Sequence, residues 1–151
     1  MPKNSNFSKP NLIYRVIDAN INRTKEGLRV CEEITRFILN NYALTLQIKR
    51  IRHKLQLVFN RLKEDKFKLL KERNVPYDIG RHIASKEKKR NDYKDIFFAN
   101  IQRVKESLRV LEEFSKLINK GTSEKFKDIR YKVYDIEKKV AEKLKALCDT
   151  G

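Results

Sequence analysis

Apolar residues recur every three to four positions along four long stretches of the chain, which is the spacing of one face of an α-helix. In the first stretch they include Ile13, Ile17, Ile21 and Leu28. No stretch alternates between apolar and polar residues for long enough to form a strand. The pattern predicts an all-α bundle with helices over about residues 10–41, 42–73, 92–119 and 123–147, with Gly121 as a C-cap residue and Ser123 as an N-cap residue.

The chain contains an internal repeat. Residues 19–33 recur as residues 99–113 with differences only at positions 22, 24, 27 and 31, and a weaker match relates 51–55 to 129–133. The repeated unit is a pair of helices, so two copies predict a pseudo-twofold four-helix bundle. We expect a flexible tail over residues 1–9 and a single helical domain over 10–148, made of repeat 1 (10–73), a loop (74–91) and repeat 2 (92–148).

The repeat retains polar residues as well as its apolar stripe. On a helical wheel, Asn20 falls within the apolar face, Arg23 lies at its edge, and Glu26 and Glu33 lie one step further along the same side. Asn100, Arg103, Glu106 and Glu113 occupy the equivalent places in the second copy. By the same estimate Arg29 and Glu32 face outward. Each repeat is therefore predicted to direct an Asn-Arg-Glu group toward the interior or a cleft.

Two structural explanations compete with a functional one. The Asn residues would fix the register of buried helices, and the Arg and Glu residues would form an ordinary lattice of ion pairs along each helix. The functional explanation is a polar cavity in which two Arg and two Glu side chains hold a phosphate and a divalent cation. A guanidinium group can bind two phosphate oxygens at once, and carboxylates hold Mg²⁺ against the same oxygens.

Weaker candidates lie outside the repeated fifteen residues. Arg52-His53 and Arg130-Tyr131 occupy equivalent helix positions, where they either complete an anion site or are simply exposed. The loop around Asp78 is long for a bundle connection, and such loops often act as lids. The basic run that ends at Arg90 is either a phosphate clamp or a solvated surface segment.

Composition adds a strong positive charge. The 151 residues carry a formal net charge of +16, which attracts polyanions unless it only reflects compositional bias. No Gly-rich phosphate-binding loop and no nucleic-acid-binding motif is present. A basic stripe could still bind nucleic acid, and it consists of Lys49, Arg50, Lys54 and Arg61.

Cys31 lies on an apolar stripe, as a core residue would. The chain has no apolar signal segment and no membrane span, so we expect a cytoplasmic protein.

Several separated motifs resemble one known family, and they extend over about residues 14–137. They are Tyr14 to Asn20, Arg23, Glu26 to Val30, Glu32, Asp78-x-Gly80, Glu87-x-x-Arg90, Ala99 to Glu113, and Ile129 to Glu137. This pattern is similar to the helical, non-ribokinase type of hydroxymethylpyrimidine phosphate kinase of thiamine biosynthesis, a module often fused in front of thiamine phosphate synthase. No synthase domain follows Leu147, so we expect a stand-alone module. Ser107 replaces the residue equivalent to Gly27.

The resemblance implies a reaction in which 4-amino-5-hydroxymethyl-2-methylpyrimidine phosphate and ATP give the pyrophosphate and ADP, with Mg²⁺ as cofactor. For this reaction we expect phosphate contacts by Arg23 and Arg103, a catalytic carboxylate among Glu26, Glu106 and Asp78, and Mg²⁺ binding by Glu26, Glu106 or Glu113. Asn20 and Asn100 are assigned to the pyrimidine or a phosphate, and Arg52, Arg90, Arg130 and Tyr131 to substrate or phosphate binding.

Partners and other functions stay open. The module could form a homodimer or act with a thiamine phosphate synthase. Two alternatives to a kinase are a basic helical module that binds RNA or a protein, and a carrier that delivers the pyrimidine phosphate to a separate synthase.

Overall fold

The structure, a computed structural model, describes residues 9–62, 66–71, 73–82 and 89–151. Within these ranges the chain forms helices and no strands, so the all-α prediction is confirmed. Four long α-helices and one short one are present: α1 (Lys9–Glu33), α2 (Tyr42–Asn60), α3 (Lys66–Lys71), α4 (Tyr93–Ser115) and α5 (Lys120–Asp149). A π-helical turn, Ile34–Ile38, continues α1, and two 3₁₀ turns, Val75–Tyr77 and Ile79–His82, precede α4. None of the described helices combines the length and apolarity needed to cross a membrane.

Some sequence predictions concern residues that the structure does not describe. Of the predicted tail over residues 1–9, only Lys9 is described, and it begins α1. Glu87 and most of the basic run before Arg90 also lie outside the described ranges.

The predicted second helix, residues 42–73, is wrong in its length. The helix ends at Asn60, where the Leu62 N–H bonds the Phe59 carbonyl three residues back, and α3 is a separate helix. Leu62 and Leu69 are both buried although they lie on either side of the break. Their spacing of seven also suits one continuous helix, so the apolar pattern could not show the interruption.

Asn and Asp side chains begin three of the helices. The side-chain oxygens of Asn41, Asp92 and Asn119 accept hydrogen bonds from backbone N–H groups in the first turns of α2, α4 and α5. The predicted caps Gly121 and Ser123 are therefore wrong, because both lie inside the first turn of α5.

The four long helices enclose the core. α1 packs against α4 and α2, and α5 packs against α4 and α2. Phe97 and Phe126 are the largest side chains that are fully buried. The twofold relation between the two halves stays a prediction, although several contacts described below occur once in each half.

α1 and α4 approach each other closely in antiparallel directions. The hydroxyl groups of Thr24 and Ser107 are 2.8 Å apart in a buried hydrogen bond. A Cβ atom at Gly27 would lie 2.6 Å from Val104 Cγ2 and 3.0 Å from the Asn100 carbonyl oxygen. Only glycine permits this approach, which explains a glycine in the middle of a helix despite its low helix propensity.

We predict that Gly27→Ala destabilises the fold. Crowding against α4 should outweigh the gain in helix propensity and lower the free energy of unfolding by about 1–2 kcal/mol. Urea denaturation monitored by circular dichroism measures this change.

Val104→Ala provides the control, because it removes the Cγ2 atom that the new methyl group would meet. Gly27→Ala should cost less in the Val104→Ala background than in the natural chain. An equal cost in both backgrounds, or no cost at all, would show that the helices are not in close contact at this point.

Candidate functional site

A cleft of about 390 Å³ lies between α1 and the segment that follows α3. Each of its α1 residues has another three or four positions away, so they share one face of the helix. The segment after α3 forms the opposite wall. Charged side chains that line the cleft are Arg15, Asp18, Arg23 and Glu26 from α1, and Arg73 and Asp78 from the segment. We call this the α1 cleft.

A bidentate ion pair holds the two walls of the α1 cleft together. Arg73 Nε lies 2.7 Å from Asp18 Oδ2, and Arg73 Nη2 lies 2.9 Å from Asp18 Oδ1. These hydrogen bonds raise the pKa of the Arg73 guanidinium. Sequence reasoning assigned no role to either residue. Asp18 lies within the quoted N-terminal motif, but the two residues are 55 positions apart and no local spacing predicts such a contact.

The first Asn-Arg-Glu group lies at this cleft. Asn20 is buried, as predicted, and its Nδ2 donates to the Val16 carbonyl at 2.8 Å. Arg23 is exposed at the cleft, and its Nη1 donates to Asn20 Oδ1 at 3.5 Å. Glu26 is also exposed and lines the same cleft. The Asn20 amide oxygen therefore lies beside the guanidinium group of Arg23.

The second Asn-Arg-Glu group lies on α4. Asn100 is half-buried, and its Nδ2 donates to the Ile96 carbonyl at 2.8 Å, just as Asn20 does one repeat earlier. Arg103 and Glu106 are exposed and do not belong to the lining of the α1 cleft. The structure thus brings Arg23, Glu26 and Asp78 together and leaves the second group outside their cleft.

Glu113 and Arg90 lie elsewhere on the surface. Glu113 pairs with Lys116 at 2.7 Å and with Arg109 at 3.4 Å, and the hydrogen bond from Lys116 lowers its pKa. Arg90 precedes α4, and its Nη1 donates to the Lys89 carbonyl at 3.2 Å. Among the described residues, no group of three or more His, Cys, Asp or Glu side chains could hold a metal ion. A cation would need phosphate oxygens as additional ligands.

Glu32 is fully buried, so the prediction that it faces outward is wrong. Its Oε2 lies 2.7 Å from Arg52 Nη2 on α2. The helical wheel considered α1 without its neighbours. In the structure α2 packs against the side of α1 that the wheel predicted to face solvent. Arg29 does face solvent, and it adds ion pairs to Glu32 at 3.7 Å and to Glu33 at 3.3 Å.

The same arrangement occurs in the second half of the chain. Arg130 Nε on α5 donates to Glu112 Oε2 at 2.9 Å, and Arg109 Nη1 donates to Glu112 Oε1 at 3.1 Å. Arg130 also donates to the Tyr134 hydroxyl at 3.1 Å and stacks over the exposed Tyr131 ring. Arg52, Arg130 and Tyr131 lie outside the α1 cleft, and the two Arg side chains join the helices of each half.

Cys31 is a core residue, as predicted. It is fully buried, and burial raises the pKa of its thiol to about 12. A thiol with this pKa is protonated at neutral pH and is not a nucleophile.

We predict that Arg52→Met destabilises the protein by about 3 kcal/mol, because it leaves the buried Glu32 carboxylate without its nearest cation. Arg29→Met is the matched control. It removes a half-exposed cation from the same carboxylate and should cost less than about 1 kcal/mol. Thermal and urea unfolding of both variants measure the difference. Equal, small effects would show that the Glu32–Arg52 pair contributes little.

Several curated proteins are similar in sequence to this chain. Thiamine-phosphate synthase of Nostoc punctiforme is 41% identical over 127 residues, which cover 83% of this chain and 34% of that protein. The synthases of Synechocystis sp. and Rhodopirellula baltica are 38% and 37% identical, over 86% and 81% of this chain and 36% and 32% of theirs. The chain therefore spans about a third of the length of these curated relatives. No solved structure matches.

A match to a described family covers most of the helical domain. It extends over residues 15–139 and includes most of α1, all of α2 and α4, and most of α5, together with every residue of the α1 cleft. The chain thus belongs to the ThiD2 family, a helical module of thiamine biosynthesis.

Proposed function

We propose that the chain is a phosphotransferase that converts 4-amino-5-hydroxymethyl-2-methylpyrimidine phosphate and ATP into the pyrimidine pyrophosphate and ADP. Membership of the ThiD2 family supports a role in thiamine biosynthesis. The observation that carries the proposal is the α1 cleft, in which guanidinium and carboxylate groups face one another. Its volume of about 390 Å³ is within the range of small-molecule sites.

The chemistry requires charge neutralisation more than covalent participation by the protein. A phosphate oxygen of the pyrimidine substrate forms a bond to the γ-phosphorus of ATP, and the bond from that phosphorus to the ADP oxygen breaks. We assign Arg23, which lines the cleft, to the transferring phosphoryl oxygens, with Arg15 on the same helix face. Arg73 already pairs with Asp18, so it positions the wall of the cleft rather than binding phosphate.

The cleft fits a nucleotide-bound Mg²⁺ better than a metal held by protein alone. Mg²⁺ usually takes one or two carboxylates and completes its shell with water and substrate phosphates. Glu26 and Asp78 are the carboxylates of the cleft that would hold it, and the ion would supply further charge neutralisation. Glu106 and Glu113 lie outside this lining.

Asn100 and Arg103 stay part of the proposal. They lie on α4, the helix packed against α1, and the exposed Arg103 is available to a ligand that extends beyond the α1 cleft. We assign Arg103 to the phosphates of ATP. Asn20 and Asn100 keep their assignment to the pyrimidine or a phosphate of the substrates.

A second candidate function is a carrier that binds the pyrimidine phosphate and delivers it to a synthase. The observation in its favour is that the similar proteins are named thiamine-phosphate synthase and extend well beyond the matched region. A carrier would bind the pyrimidine phosphate without releasing ADP.

Arg23→Ala and Arg103→Ala test the kinase directly. Each loses a charge-assisted hydrogen bond to a phosphate, so kcat/KM should fall by about 10- to 100-fold. A coupled assay of ADP release that depends on the pyrimidine phosphate gives the rates. Circular dichroism confirms that the variants are folded.

Arg61→Ala is the control, because Arg61 is an exposed arginine at the end of α2 and does not line the α1 cleft. Its rate should equal that of the natural chain. Natural rates in both the Arg23 and Arg103 variants would rule out the proposed site. Binding of the pyrimidine phosphate with no ADP release in the natural chain would favour the carrier.

Arg73→Ala tests how the cleft is held together. Loss of the anchor to Asp18 should raise KM about tenfold and leave kcat nearly unchanged, because Arg73 organises the wall and does not bind the transferring group. Arg73→Lys keeps the charge but cannot form the bidentate pair, so its KM should lie between that of the natural chain and that of Arg73→Ala.

Asp18→Asn completes a double-mutant cycle with Arg73→Ala. The double variant should be no worse than either single variant, since both remove the same contact. Additive effects, or a fall in kcat at unchanged KM, would contradict the positioning role.

A further inference from the structure

A second pocket lies on a different side of the bundle, between α2 and α5. Its volume is about 250 Å³, and none of its lining residues belongs to the α1 cleft. Arg50, Lys54 and Lys132 provide its cationic walls, and the buried Ile51 and Ile136 lie at its floor. We call this the α2–α5 pocket.

The two lysines line the pocket from different helices, Lys54 from α2 and Lys132 from α5. Interaction with the Lys132 side chain, together with burial, lowers the pKa of Lys54. Asp128 offsets the repulsion only in part, and Lys125 adds to it. Two ammonium groups on facing helices oppose each other's protonation unless an anion binds between them.

Nearby carboxylates do not neutralise these cations. Within the described ranges, the ion pairs within 4.0 Å include none that involves Arg50, Lys54 or Lys132. Asp135, which also lines the pocket, pairs with Lys139 at 2.7 Å instead. A concave surface with several cations of this kind concentrates anions.

We infer that the α2–α5 pocket binds a phosphate ester with a small ring-shaped organic part, such as a nucleoside monophosphate. The phosphate would lie between Lys54 and Lys132 and near Arg50, and its charge would relieve their repulsion. The ring would pack on Ile51 and Ile136. The site is separate from the proposed catalytic cleft and does not depend on the proposed reaction.

The shape of the site favours a compact anion over an extended nucleic acid. Its cations converge on one concavity from two helices. A strand of RNA would instead follow the basic stripe along α2, where Lys49 and Arg61 are exposed but do not line the pocket. An apolar floor also adds nothing to binding a phosphate backbone, whereas it would bury one face of a ring.

The test is a titration of the full chain, ¹³C-labelled at isoleucine methyl groups, with AMP and separately with inorganic phosphate. NMR shifts of Ile51 and Ile136 report on the α2–α5 pocket, so binding elsewhere does not interfere. We expect saturable shifts of both residues with AMP, and an affinity for AMP at least about fivefold higher than for inorganic phosphate, from burial of part of the ring.

Lys54→Met and Lys132→Met keep most of the side-chain length and remove the charge. Each should weaken AMP binding about tenfold. Lys49→Met is the matched control on α2 and should leave the affinity unchanged. Kinase activity of the Lys54 and Lys132 variants, measured without added AMP, should equal that of the natural chain.

Three results would overturn the inference. They are no shift of Ile51 and Ile136, equal affinity for AMP and inorganic phosphate, and an equal loss of binding in the Lys49 variant. Binding of a single-stranded RNA that is weakened as much by Lys49→Met as by Lys54→Met would assign the surface to nucleic acid instead.

Discussion

The close antiparallel contact of α1 and α4 forms the centre of the described bundle, with α2 packed on α1 and α5 packed on α4. Gly27 lets the two backbones approach, and the buried Thr24–Ser107 hydrogen bond lies at the same crossing. Because the two helices use their apolar faces for this contact and for α2 and α5, Arg23 and Glu26 are left on an exposed face of α1. The candidate site is therefore a consequence of how α1 is packed.

Two buried ion pairs join the outer helices to this central pair. Glu32 holds Arg52 of α2, and Glu112 holds Arg130 of α5. A buried ion pair is weak evidence for stability, since its desolvation cost is large. Its value here is positional, because a slipped register would leave a buried carboxylate without a cation. This explains why Glu32 and Arg52 recur as Glu112 and Arg130 in the second copy, although neither pair lines the α1 cleft.

The sequence predicted the fold class, the four long helices and the burial of Asn20, because these depend on local spacing. One local prediction failed, because Asn119 rather than Ser123 caps α5. The other failures arose where the result depends on a second helix or on distant residues. The outward prediction for Glu32 ignored α2, and the break after Asn60 was hidden because Leu62 and Leu69 keep helical spacing.

Sequence reasoning named Arg23, Glu26 and Asp78 as site candidates, and all three line the α1 cleft, but it did not predict the ion pair that joins the cleft walls. Asp18 and Arg73 are 55 residues apart, and their pairing depends on α3 turning the chain back onto α1. A single sequence contains no signal for such a contact. The proposed role of the second repeat, Asn100 and Arg103, still rests on internal similarity.

The most direct test of the central claim is a crystal structure of the chain with the pyrimidine monophosphate and a nonhydrolysable ATP analogue. We predict that the substrate phosphate lies within hydrogen-bonding distance of Arg23 in the α1 cleft, with the γ-phosphate in line with it. A substrate phosphate bound elsewhere, for instance in the α2–α5 pocket while the α1 cleft holds no ligand, would contradict the proposed site.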